Sequence, residues 1–93
     1  MRLEVLIADK LSRVAVDALE ALGASVRFAP DLTADDLPAQ IGGAEVLVVR
    51  STKVTRATVE AGKQLSLVVR AGAGVNTIDI EAASEYGVSV ANC

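Results

Sequence analysis

Two short segments of this sequence gather groups that bind anions. "RSTK" (50–53) follows the apolar run "AEVLVV", and "RAGAGVN" (70–76) starts on the last residue of the run "LSLVVR". Together they hold the guanidinium groups of Arg50 and Arg70, the ammonium of Lys53, and the hydroxyls of Ser51 and Thr52. They also hold Gly72 and Gly74, whose missing Cβ atoms let backbone N–H groups approach a ligand closely. A guanidinium grips phosphate or carboxylate through two parallel N–H donors, so the collection suits a small anionic metabolite.

Two other chemistries use a comparable strand, turn and helix start. A dinucleotide loop needs G-x-G-x-x-G. Gly72 and Gly74 match its first two glycines, but Thr77 stands at the third, and no further strand–helix–strand unit follows to hold a second nucleotide. A phosphoacceptor domain needs an aspartate after its third strand, and that position is Arg50, followed by Ser51 and Thr52. "VLIADK" resembles the acidic first loop of such a domain, yet without the acceptor aspartate the mechanism fails. A plainer account also stands for each residue taken singly. An arginine at a strand end is commonly a solvated charge, and paired glycines ease a tight turn. The convergence of two arginine-bearing loops favours the anion site.

That convergence depends on the elements around the loops. Five short apolar runs recur along the chain: "LEVLIA" (3–8), "ASVRFA" (24–29), "AEVLVV" (44–49), "LSLVVR" (65–70) and "VSVAN" (88–92). Each is too short for a helix and most are rich in β-branched residues, so each is predicted to be a strand. Helical segments lie between them. In "LSRVAVDALEALG", Leu11, Val14, Ala15, Ala18, Leu19 and Leu22 fall on one face, which is expected to be the buried one, with Ser12 as the starting cap and Gly23 as the stop. "TADDLPAQIGG" carries a cap-like Thr33 and Asp36 and then Pro38, so its helix is expected to be short or late. "TRATVEAGK" and "IDIEAASEYG" complete the series. Alternating strands and helices imply right-handed crossovers and a parallel sheet. The predicted fold is therefore α/β: a flavodoxin-like five-stranded parallel sheet, order 2-1-3-4-5, with helices on both faces and a single domain over residues 1–93. Ligands of such sheets sit beyond the carboxyl ends of the strands. In this order strands 3 and 4 are neighbours roughly 5 Å apart, which sets "RSTK" beside "RAGAG".

Composition removes several other functions. The 93 residues are 52% hydrophobic and 2% aromatic, so the core must be aliphatic. A net charge of -3 and only two rings, Phe28 and Tyr86, argue against nucleic acid as a partner. With no histidine, the commonest general base and metal ligand is missing. The single cysteine, Cys93, forms no internal disulfide, and no run approaches a membrane span. The cytoplasm is the expected compartment.

In order along the chain, "VLIADKL", "VLVVRSTKVT" and "LSLVVRAGAGVNTIDIEAASEYGVSVANC" resemble the amino-terminal region of the D-isomer-specific 2-hydroxyacid dehydrogenases, and among them the phosphoglycerate dehydrogenases. The likeness is strongest from Glu45 onward. It departs from the usual pattern in two places. Asn76-Thr77 stands where Asp-Asn is usual, and "RSTKVT" is one residue shorter than "RSATKVT", which shifts the expected placement of Lys53.

The resemblance implies a flavodoxin-like substrate-binding region. Arg50, Ser51 and Arg70 would hold the substrate phosphate, and the backbone of Gly72, Ala73, Gly74 and Val75 would meet its carboxylate. It implies a parent enzyme that oxidises D-3-phosphoglycerate to 3-phosphohydroxypyruvate with NAD, at the entry to serine synthesis. The catalytic arginine, glutamate and histidine of that family, and its NAD-binding unit, lie beyond the stretch matched here. The chain is accordingly expected to bind no cofactor itself, to be inactive alone, and to self-associate through apolar surface left beside the last strand. A non-catalytic flavodoxin-like binding or assembly module is the alternative.

Overall fold

The computed structural model describes residues 3–9, 13–71 and 77–92. Among these, strands and helices alternate in the predicted order: β1 (Glu4–Ile7), α1 (Arg13–Ala21), β2 (Ser25–Phe28), α2 (Leu37–Gln40), β3 (Val46–Val49), α3 (Arg56–Ala61), β4 (Leu67–Arg70), α4 (Ile80–Glu85) and β5 (Ser89–Asn92). The strands form one parallel sheet in the order β2-β1-β3-β4-β5. This is the expected flavodoxin-like topology.

Strand side chains alternate between two cores. Leu6, Leu47, Val49 and Val68 face one side, where they pack with Leu37, Ile41, Val59, Ala82 and Ala83 from the regions of α2, α3 and α4. Val5, Ile7, Val46 and Val48 face the other, beneath Val16 of α1. β3 lies at the centre and is buried at all four positions, as a strand covered on both faces must be. Beyond α1, coverage of that second face thins: Leu67 and Val69 of β4 are partly buried and Ala91 of β5 is exposed.

The helix ends follow their chemistry. Gly23 and Gly87 take positive φ, and in both cases the next residue turns back: Ala24 N–H donates to Leu19 O, and Val88 N–H to Ala83 O. Only glycine adopts that left-handed stop without strain. α2 is a single short helix with Pro38 in its first turn, as expected. Ahead of it, the Asp36 carboxylate accepts from both the N–H and the hydroxyl of Thr33, which hold its pKa below the usual carboxylate value, the backbone bond contributing most.

The expected face of α1 packs only in part, through Leu19. Val14 is 77% and Leu22 85% exposed and Ala18 is exposed, while Val16 is 2% exposed and Leu19 half-buried; Leu11, Ser12 and the side chain of Ala15 lie outside the described residues. The helix is apolar over most of its circumference and rich in alanine, so its periodicity specifies rotation weakly. The ridge formed by Val5, Ile7, Val46 and Val48 selects the branched side chain of Val16 instead.

Gly62 closes α3 where space, rather than φ, demands glycine. A methyl group there would lie 2.9 Å from Leu65 Cβ and 3.3 Å from Ile41 Cγ1. Gly62→Ala is expected to destabilise the fold by about 1–3 kcal/mol, as overpacked cores generally are. A urea unfolding curve shifted to a lower midpoint with unchanged slope is the expected reading.

Candidate functional site

The carboxyl ends of β1, β3 and β4 meet at one edge of the sheet. Parallel pairing runs to the last residue of β3 and β4, with Val49 opposite Arg70, and Ala71 N–H then donates to Val49 O at 2.8 Å. On the other side, Ala8 N–H donates to Val48 O at 3.0 Å, placing the residue after β1 beside the loop that follows β3.

That loop is pinned at both ends to the segment after β4. Its start is held by the Val49–Ala71 bond. Its end, Val54, is 1% exposed and forms a parallel bridge with Ile78. There Val54 N–H donates to Thr77 O and Asp79 N–H to Val54 O, each at 2.9 Å. Residues 50–53 and the chain from Ala71 to Thr77 therefore span the same two anchor points. The structure thus brings together Arg50, Ser51 and Arg70, three of the residues singled out above. Arg50, Ser51 and Lys53 are exposed and Arg70 is half-buried. Gly72, Ala73, Gly74 and Val75 lie outside the described residues, though both flanks of their segment are held as stated.

The centre of the edge is an aspartate. Asp9, 8% exposed, sits just past β1, and its Oδ2 accepts from Arg50 N–H at 2.8 Å, Ser51 N–H at 2.7 Å and Thr52 N–H at 2.9 Å. Three successive N–H groups aimed at one oxygen form an anion nest. Here the protein's own carboxylate fills it. The Thr52 hydroxyl lies 3.0 Å from the same oxygen and 3.2 Å from Ala8 O. This corrects the expected donor set, because Thr52 turns its hydroxyl inward to these acceptors, and the N–H groups of Arg50, Ser51 and Thr52 are committed to Asp9. What the loop offers outward is the side chains of Arg50, Ser51 and Lys53.

Sequence reasoning weighed Asp9 only as part of an absent phosphoacceptor pocket. The available signal was topological: in a 2-1-3 order, an aspartate just after strand 1 must adjoin the small polar residues after strand 3.

Around this edge, α4 starts at Asp79, whose side chain accepts from Ala82 N–H at 3.0 Å. Arg56 of α3 donates to Glu85 of α4 at 2.6 Å, and the Tyr86 hydroxyl to Glu60 at 3.1 Å. The Arg56 hydrogen bond lowers the Glu85 pKa, and the Glu60 hydrogen bond raises that of Tyr86. These exposed contacts orient α3 against α4 and add little stability. Among the described residues no three His, Cys, Asp or Glu side chains cluster as a metal site, and no helix is long and apolar enough to cross a membrane.

Comparison with known proteins gives this edge a context. The family profile of the D-isomer specific 2-hydroxyacid dehydrogenase catalytic domain matches residues 5–93. The chain is 46% identical over 90 residues to D-3-phosphoglycerate dehydrogenase of Methanocaldococcus jannaschii, covering 96% of this chain and 17% of that protein. It is 40% identical to D-3-phosphoglycerate dehydrogenase 2, chloroplastic, of Arabidopsis thaliana, covering 95% of this chain and 14% of the relative. Among solved structures, the NAD+-bound 3-phosphoglycerate dehydrogenase of Entamoeba histolytica superimposes with a TM-score of 0.87 at 28% identity, covering 99% of this chain and 33% of the other. The 93 residues thus span a small part of the proteins they match.

Proposed function

The chain belongs to the D-isomer-specific 2-hydroxyacid dehydrogenase family, and we propose from that premise that it is the substrate-binding part of an NAD-dependent D-3-phosphoglycerate dehydrogenase. The parent reaction is oxidation of D-3-phosphoglycerate to 3-phosphohydroxypyruvate. The observation that carries the reading is that Arg50 and Ser51, just past β3, and Arg70, the last residue of β4, lie at the carboxyl edge of two adjacent, paired strands. Arg50 and Arg70 supply bidentate N–H donors to the phosphate, and Ser51 adds a hydroxyl. Gly72 to Val75 offer backbone donors to the carboxylate.

In this reading the 93 residues bind and orient substrate, and they do not carry out hydride transfer. Oxidation of the alcohol needs a group to take the hydroxyl proton, and the chain has no histidine for that task. Nor do the described residues fit NAD. Where a dinucleotide loop would have its third glycine, Thr77 ties its carbonyl to Val54, and Asp79 puts a carboxylate at the start of the following helix, where a diphosphate would be repelled. NAD belongs to another part of the parent, and the isolated chain is inactive.

Amide NMR of the 93-residue chain, titrated with 3-phosphoglycerate at low salt and separately with NAD, tests this. Shifts confined to Arg50–Lys53 and to Arg70 and the residues that follow it, with none from NAD, are expected. A well-dispersed spectrum that neither compound moves overturns substrate binding by this chain and favours a non-catalytic flavodoxin-like module.

A further inference from the structure

Among the described residues Asp9 is the most heavily bonded carboxylate of this edge, and nothing in the binding of an anion by arginines requires it. A second negative charge beside a phosphate site is, by itself, unfavourable. Its position is explained by what it does to the loop. Residues 50–52 carry three consecutive N–H donors, which without an acceptor would either stay solvated in a mobile loop or close upon the ligand. Asp9 reaches across from β1 and draws all three onto one oxygen, with the Thr52 hydroxyl as a fourth neighbour.

We propose that Asp9 is a positioning residue of the substrate site, an internal anion that occupies the backbone nest of Arg50, Ser51 and Thr52. The proposal rests on the substrate-binding reading above. With its backbone committed inward, the loop keeps one conformation, and Arg50 and Ser51 meet the ligand through their side chains alone. The clasp joins residues 41 to 43 positions apart, so it couples the end of β1 to the ligand-facing end of β3. It also shuts the nest to the substrate's own phosphate or carboxylate. That keeps the ligand out at the guanidinium groups, instead of letting it sink against the strand ends.

The test uses the full 93-residue chain and a chemical rescue. Asp9→Ala keeps Cβ and removes a group the size of formate, leaving the nest empty. Amide exchange at Arg50, Ser51 and Thr52 is expected to quicken roughly ten- to a hundredfold in this variant. Affinity for 3-phosphoglycerate is expected to fall about tenfold. Added formate should restore both, while leaving the wild-type chain unchanged and chloride at equal ionic strength without effect. Asp9→Asn, which keeps the shape and loses the charge, should fall between the two and serves if the alanine variant does not fold.

Wild-type protection and affinity in a folded Asp9→Ala or Asp9→Asn variant would overturn the proposal. So would an alanine variant that loses both but is indifferent to formate. If the wild-type chain binds no 3-phosphoglycerate, the substrate reading fails, and with it the claim that Asp9 serves a substrate; the exchange and formate results still decide whether Asp9 holds the loop.

Discussion

Reversing both arginine charges, Arg50→Glu with Arg70→Glu, is expected to abolish binding of 3-phosphoglycerate, with a loss of at least roughly a hundredfold. Each substitution removes a charge-assisted, two-pronged contact and replaces it with a carboxylate that repels the ligand. Titration by NMR or calorimetry reads the loss directly. Arg50 is exposed, so Arg50→Glu alone tests the site with little risk to the fold, and its amide spectrum should keep wild-type dispersion. Arg70 is half-buried as the last residue of β4, so its conservative change to lysine is the better single probe there. Lysine keeps the charge and loses the planar fork, and a loss of about five- to tenfold is expected. Undiminished binding by the double variant would remove these residues from the site.

The largest stability effect is expected at Leu47→Ala. Leu47 is fully buried in β3, paired in register with Leu6 of β1 and Val68 of β4, and packed under the three-helix side of the sheet. Removing its branched end loses transfer free energy and leaves a cavity that a central strand cannot collapse to fill. The cost is about 2–5 kcal/mol. Domains of this kind are stable by roughly 5–15 kcal/mol in all, so much of the margin goes with one side chain. Leu22→Ala makes the matched control. Leu22 is 85% exposed, and its truncation should move the urea midpoint by an amount corresponding to no more than about 0.5 kcal/mol. Equal effects at the two positions would mean that the packing described for α1 and β3 is wrong.

Element types, their order along the chain and the sheet order were all legible from residues alone. Strands such as "VLVV" in β3 are covered on both faces, which demands continuous aliphatic runs, and such runs stand out between helices closed by Gly23 and Gly87. The placement of Arg50 and Arg70 at one edge followed from that order without further information. The rotation of α1 was not legible, because "VAVDALEA" offers apolar residues in several directions and the sheet chooses among them. That choice turned Val16 inward and left Val14 and Leu22 outside.

The sequence by itself thus determined the fold and which loops carry the cations, since both depend on local patterns of burial, turn chemistry and charge. Tertiary structure alone decided what those loops do with their polar groups. Hydrogen bonding between Asp9 and residues 50–52 joins positions 41 to 43 apart, and no local pattern records a bond over that distance. The donors and the acceptor are ordinary when read singly. Only the parallel pairing of β1 with β3 brings them within 3 Å and turns three loop N–H groups inward, leaving the Arg50 and Ser51 side chains exposed at the edge.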